Sequence, residues 1–543
     1  MTKLKRNPGL GLSLAAALLL TLGTSCQKPE ANGPAPPLPT KPEAEPVKVT
    51  LLHFSDYHSH ALPYYSEHAA DQGGVARAIA YIQKRRRELP NVLVLNGGDM
   101  WNSGTPSWSD KYYGDCSEWR WLSEHLGAMA FGNHDVDYGW DALLACRDKV
   151  KFPILSANLV DQDGKLLLSD GGKPYIVKQF GEIRVGAFAL SGPDFVRLIP
   201  AAHLPPGARF TDPVAAAQKI VQTLREVEKV DAVIFFGHQD RESDFAMAKA
   251  VPGIDLILGT HSHYKGIMQQ IPDTQTHFIS PFQYLNYLSE VELTFRSGKL
   301  SAVTGTLVRM DALLPQDKQV AADVQRMQDA LEKDPTYAAR FQVIGSAAVE
   351  LDNTGLDSGE SVLGNFAMDI LRVTAKAHAA FSSASSFRAA IPPGPIRMED
   401  YLTALPYKNT IVTVQMTGAQ LQELLDFSAQ KRGSDNFGVS SGVRYTLGGG
   451  RASAISVITD PMAKDAKYDP LQPTRMYTVA ATNYLTNVAA GYKDLFDKAQ
   501  NKTDTGVIVN DAIIAEIKAT SPVSARLEGR ITIQEGPTSV RSR

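Results

Sequence analysis

Val47-Lys48-Val49-Thr50-Leu51-Leu52-His53-Phe54-Ser55-Asp56-Tyr57-His58 is an apolar run that passes straight into two metal-loving side chains spaced by two. The run is rich in β-branched residues and nearly unbroken, which predicts a strand covered on both faces rather than a half-exposed one. In an extended segment Asp56 and His58 point the same way and can chelate one ion. The pattern then recurs. Val92-Leu93-Val94-Leu95 leads to Gly97-Gly98-Asp99, and Ala232-Val233-Ile234-Phe235-Phe236 leads to Gly237-His238. Ile254-Asp255-Leu256-Ile257-Leu258 leads to His261-Ser262-His263, and Gly132-Asn133-His134-Asp135 closes a further apolar stretch. An isolated Gly-Asp or Gly-His after a strand is an ordinary turn. Five such clusters in order predict a pocket for two divalent cations at the carboxyl ends of buried strands.

Between these strands, Gly74 to Glu88 and Pro213 to Lys229 carry helical spacing, so residues 47–312 read as a layered α/β domain. Asp317 to Lys333 places Val320, Val324, Met327 and Leu331 on one stripe before Pro335, a linking helix within 313–340. Residues 341–535 form a second, smaller α/β unit. Glu360 to Lys376 is a helix, Thr417-Gly418-Ala419-Gln420 a capping box opening another, and Tyr477-Thr478-Val479-Ala480 a strand. At 543 residues the chain is too long for one core.

The chain opens as an export signal. Lys3, Lys5 and Arg6 precede an apolar run from Leu10 to Leu22, too short for a permanent span of about 20 residues. The run ends in Leu22-Gly23-Thr24-Ser25-Cys26, which resembles a bacterial lipobox and makes Cys26 the expected lipidation site. Residues 1–26 are therefore a signal, and 27–46, with seven prolines and no aromatic residue, an unfolded tether. The expected location is the bacterial periplasm or cell surface, with contact to the membrane through the lipid anchor only. Residues 536–543 are a tail. Cys116 and Cys146 are either a disulfide or two buried thiols. A formal net charge of -3 offers no basic surface for a nucleic-acid duplex.

In this order Asp-x-His, Gly-Asp, Gly-Asn-His-Asp, Gly-His and Gly-x-His-x-His resemble the calcineurin-like metallophosphoesterases. With Gly73-Gly74-Val75-Ala76-Arg77 and Phe131 to Gly139, the chain from Val47 to Ile533 resembles the two-domain bacterial 5′-nucleotidase family. The resemblance implies an α/β fold, a metallophosphoesterase β-sandwich flanked by helices with a smaller α/β substrate-binding domain joined by a linking helix. It implies that Asp56, His58, Asp99 and His263 hold one metal and Asp99, Asn133, His238 and His261 the other, as Zn, Mn, Fe or Co. It further implies that His134, oriented by Asp137, reaches the phosphoryl group, and that a metal-bridging hydroxide removes phosphate from a nucleotide.

In the second domain, Pro406-Tyr407-Lys408-Asn409 resembles the family's Pro-Phe-Gly-Asn and Asn483-Tyr484-Leu485 the segment with its second stacking ring. This implies Tyr407 and Tyr484 as rings, Asn409 as a hydrogen-bonding amide and Arg388 as a substrate-binding arginine. The family's Gly-Gly-Asp-Gly, whose Asp takes ribose hydroxyls, reads here Val488-Ala489-Ala490-Gly491. Gly359 and the Ser382 to Ser386 stretch also depart from the pattern. These changes leave open a UDP-sugar hydrolase, a cyclic-nucleotide phosphodiesterase, a thiosulfohydrolase-like enzyme or, outside enzymes, a metal- or ligand-binding surface lipoprotein.

Overall fold

The computed structural model describes residues 45–534 apart from Thr105 and 463–466. The signal-like segment, Cys26, the proline-rich stretch up to residue 44 and the tail from 536 lie outside the described residues. Val47–Phe54 is the hub of the first sheet. It pairs in parallel with Val92–Asn96, which continues in parallel to Ala128–Ala130 and Ile154–Val160. On its other side lie the antiparallel strands Tyr287–Arg296 and Lys299–Arg309. In the second sheet Ile183–Phe188, Ala232–Phe235, Leu256–Leu258 and His277–Pro281 are parallel neighbours.

The apolar runs are unbroken because each strand is buried twice. Val49, Leu51, Leu93 and Leu95 share a core with Val185, Ala187, Ile234 and Leu256 of the facing sheet. The alternate residues Leu52, Phe54 and Val94 pack with Ile79 and Ile82 of helix Val75–Glu88. Likewise Val233 and Phe235 pack with Ile220 and Leu224 of helix Pro213–Glu226. The result is two sheets between two helical layers, with parallel strands delivering their carboxyl ends to one edge.

The second domain has its own core, built from Leu363, Leu371, Leu421, Val479 and Ile513 among others. Its main sheet runs Gly438–Ser441, Ala379–Ser383, Met476–Thr482, Thr410–Thr417, Gln500–Ile508. Register gathers four loops at one end. Ile411 pairs with Thr482, Ala379 lies parallel to Val479, and Ser383 pairs with Gly438. The residues just outside those pairs, 384–388, 407–409, 434–437 and 483–484, therefore neighbour one another. The expected capping box is formed, with Thr417 Oγ1 accepting from Gln420 N at 3.2 Å and Gln420 Oε1 from Thr417 N at 2.9 Å.

The helix Lys318–Lys333 is capped by Asp317, whose carboxylate accepts from Gln319 N and Val320 N at 3.0 Å each. Its stripe Val320, Val324, Met327 and Leu331 is buried in the first domain's core, so it is a docked element rather than a free connector. Cys116 and Cys146 form a disulfide, with Cα atoms 5.4 Å apart. Closing a loop of 30 residues contributes about 3–4 kcal/mol in the chain-entropy account.

Candidate metal centre

Two groups of potential ligands lie side by side: Asp56, His58 and His263, and Asp99, His238 and His261, with ligand atoms in each group within 4.8 Å of one another. Asp99 joins them. Its Oδ2 is 3.6 Å from His58 Nε2 in one group and 3.2 Å from His238 Nε2 in the other. Its Oδ1 accepts the backbone N–H of His134 at 2.8 Å, which fixes the carboxylate plane. A single carboxylate oxygen between two imidazole sets is the arrangement that shared ligation of two cations requires.

The backbone is strained where the ligands sit. Asp56, His58, Asp99, His261 and His263 all have φ between 47° and 56°, in the left-handed region. Each such residue costs about 1–2 kcal/mol, and such strain gathers at functional sites that the surrounding structure holds in place. Gly98 (φ 92°) makes the turn possible, and Gly132 leaves room for Asp99 beside it. A Cβ on Gly132 would lie 2.2 Å from Asp99 Oδ1, and one on Gly98 would lie 2.7 Å from Gly132 N.

Fixed tautomers test whether the donor set fits cations. His238 Nδ1 lies 2.7 Å from the Gly97 carbonyl, which accepts only if that nitrogen carries the proton, leaving Nε2 as a lone pair. His261 Nε2 faces Asp194 Oδ2 at 3.0 Å, so its Nδ1 is the inward atom. Those inward atoms are 3.1 Å apart. In the other group His58 Nδ1 donates to Trp101 O at 3.0 Å, and its Nε2 lies 3.2 Å from His263 Nε2. Nitrogen lone pairs at such distances repel unless a proton or a metal cation lies between them. Asn133 Oδ1 and Asp56 Oδ1 are buried without a hydrogen-bond donor, which is where hard oxygen ligands belong. The residues fit two divalent cations.

The charges agree. Burial opposes ionisation of Asp56 and Asp99, but His263 beside the first and His238 beside the second hold both carboxyls below their ordinary range. Burial, reinforced by Arg388, lowers His263 to about 4 and so keeps its imidazole neutral, as a ligand must be. His261 moves the other way, to about 10: burial resists, and the Asp194 carboxylate outweighs it.

Around this centre the structure places each residue expected to act on substrate. His134 Nδ1 is 2.9 Å from Asp137 Oδ2, which also accepts from Ser103 N at 2.8 Å. Burial disfavours the His134 charge, yet Asp137 and then Asp99 push its pKa up to about 9. Arg388 arrives from the second domain. Its Nη2 is 2.8 Å from His263 Nε2 and 3.4 Å from His58 Nε2, and its Nε donates to Tyr284 OH at 3.1 Å. His134, Arg388, Tyr407, Asn409 and Tyr484 line one cavity of about 390 Å³ with Asp99 and Asn133.

Asp194 and Glu118 lie outside the sequence clusters, and Asp135, inside one, has no role assigned to it there. Asp194, the partner of His261, stands beyond the strand Ile183–Phe188, so the strand-then-acid pattern that marked Asp99 extends to it. Asp135 accepts from the N–H groups of Gly132, Met100 and Asp99 at 2.8–3.1 Å and ties two ligand loops together. Glu118, on the helix that begins beside Cys116, accepts from Tyr57 OH at 2.5 Å and Ser59 Oγ at 2.8 Å, one on each side of His58. Burial lifts its carboxyl to about 8 against those two hydrogen bonds. His60, two residues past His58, stacks on Tyr284 with ring centroids 3.6 Å apart and lines a different cavity.

Residues 49–265 match the family model for calcineurin-like phosphoesterase, and residues 343–498 match that for the 5′-nucleotidase C-terminal domain. The chain is 27% identical to the human 5′-nucleotidase, an alignment covering 91% of this chain and 92% of that one. It is 24% identical to the 5′-nucleotidase of Vibrio cholerae, covering 88% and 91%. Among solved structures it is similar to a 5′-nucleotidase precursor from Thermus thermophilus, at 26% identity and TM-score 0.72, covering 90% of this chain and all of that one.

Proposed function

We propose, because this chain belongs to the 5′-nucleotidase family of metal-dependent phosphoester hydrolases, that it is an exported 5′-nucleotidase releasing phosphate from nucleoside 5′-monophosphates. The observation that carries the metal-dependent chemistry is Asp99 Oδ2, set between two imidazole groups. Asp56, His58, Asp99 and His263 would hold one cation, and Asp99, Asn133, His238 and His261 the second. The donor set admits Zn, Mn, Fe or Co. When bound, the pair supplies a nucleophilic water at neutral pH and offsets charge on the phosphoryl oxygens.

The chain's own residues do the rest. His134, held protonated and aimed by Asp137, donates to a phosphoryl oxygen as charge builds there. Arg388 brings a permanent charge and a planar fork suited to the same group. Tyr407 and Tyr484 offer two faces for a heterocycle, and Asn409 an amide to hydrogen-bond its edge. The signal-like start and Cys26 support export with a lipid anchor. An unmodified Cys26 in the mature chain, seen by mass spectrometry, would remove the anchor from this reading.

A phosphate-release screen on the purified chain, stripped with chelator and reloaded with Mn²⁺, Co²⁺ or Zn²⁺, tests the function. Nucleoside 5′-monophosphates should exceed sugar nucleotides, cyclic nucleotides and aryl phosphates by at least tenfold in kcat/KM. A sugar nucleotide or cyclic nucleotide at the top of the panel would overturn the assignment.

A further inference from the structure

Asp435 lies at the sheet end that faces the metal centre, and the proposed mechanism leaves it unused. It lies on the turn that precedes strand Gly438–Ser441. That turn is pinned by its backbone. Ser385 N donates to Asp435 O and Ala384 N to Phe437 O at 2.9 Å each, and Tyr492 OH donates to Asn436 O at 2.9 Å. Ser385 and Ala384 precede Arg388 on the neighbouring loop, so the position of Asp435 is coupled to that of the guanidinium.

The Asp435 side chain lines the 390 Å³ cavity that holds Tyr407, Asn409 and Tyr484, and, like Arg388, also a second cavity of about 260 Å³. Among the described residues its carboxylate has neither a hydrogen-bond donor nor an ion pair within 4 Å, although Arg388 is its strongest electrostatic neighbour. A partly buried carboxylate left without donors forgoes the charge-assisted hydrogen bonds it could accept. Such a group is complementary to a ligand that brings donors of its own. Burial raises its carboxyl to about 7, opposed by Arg388 and then His261.

One stretch of the cavity lining carries no side-chain acceptor. There Val488 and Ala490 face the cavity with side chains that can neither donate nor accept. Asp435 is an electrostatic neighbour of Arg388, His261, Tyr407 and Tyr484. It lines one cavity with the phosphate-facing charges and both rings. The part of a nucleotide that joins phosphate to heterocycle is the sugar, whose vicinal hydroxyls are two adjacent donors.

We infer that Asp435 is a specificity-determining residue of this pocket: its carboxylate accepts the vicinal sugar hydroxyls of the substrate and so selects ribonucleotides over esters lacking the diol. The inference rests on the nucleotidase reading. The test compares wild type, Asp435→Asn and Asp435→Glu as full chains, each carrying two cations per chain by elemental analysis. Adenosine 5′-monophosphate and its 2′,3′-dideoxy analogue are compared by steady-state kinetics. Adenosine and 2′,3′-dideoxyadenosine are compared by calorimetric binding, a readout independent of turnover.

Wild type should favour the ribo form at least tenfold, chiefly in KM. Asp435→Asn should reduce that preference to within about twofold, and Asp435→Glu should restore part of it. An unchanged preference in Asp435→Asn, or equal losses for ribo and dideoxy forms, would overturn the assignment while leaving the nucleotidase reading intact. If wild type turned over aryl phosphates but neither nucleotide, the nucleotidase reading itself would fall, and Asp435 with it.

Discussion

Asp99→Ala should leave fewer than one cation per chain after reconstitution and lower phosphate release by at least ~10⁴-fold, about 5.5 kcal/mol at 1.36 kcal/mol per decade. The size of the effect follows from geometry. Its Oδ2 serves the His58 side and the His238 side at once, so one substitution removes a ligand from both groups. Its Oδ1 also holds the His134 backbone N–H, so the loop bearing Asn133 loses an anchor. Asp99→Asn separates the two contributions, because the amide oxygen can still accept from His134 N while the charge is gone. Cation content measured by elemental analysis in both variants decides the matter. Two tightly held ions in Asp99→Ala would show that the carboxylate is not shared, and the dinuclear reading would have to be abandoned.

His134→Ala should behave in the opposite way, keeping two cations while kcat falls about 10²–10³-fold, the usual cost of removing one donor to developing charge. Its ring nitrogens are committed to Asp137 and to the cavity rather than to a ligand group, so metal content should not change. Asp137→Asn gives a graded version. Folded His134 has its pKa raised above the free value, so it is protonated through neutral pH and loses its proton only as pH rises toward about 9. Without the Asp137 charge that limit falls, and the alkaline decline in kcat should begin at lower pH in Asp137→Asn than in wild type. A pH–rate profile from about pH 6 to about pH 10, spanning the free and shifted values with cations held constant, shows the change. A His134→Ala variant of undiminished rate would remove this residue from the chemistry.

How much was visible beforehand varies with the distance over which a partner must be found. The seven candidate ligands could be picked out because each follows a buried strand within a few residues, and the apolar runs announce those strands. The stripe Val320, Val324, Met327 and Leu331 could be read for the same reason, although only the packing shows which domain it serves. The pairing of Cys116 with Cys146 was open, since spacing does not give the approach of two Cα atoms.

From its order of residues alone, this protein's layered fold and the loops that carry its candidate ligands were legible, because an apolar run marks a buried strand by a rule that acts within a few residues. Only the tertiary structure decided that Glu118 braces the two residues flanking His58 from 61 and 59 positions away, that Arg388 reaches His58 across 330, and that Asp435 opens onto the same cavity as Tyr407 and Tyr484. Such contacts depend on sheet register and on the packing of two separate cores, and no periodicity in the chain encodes which distant groups those will bring face to face.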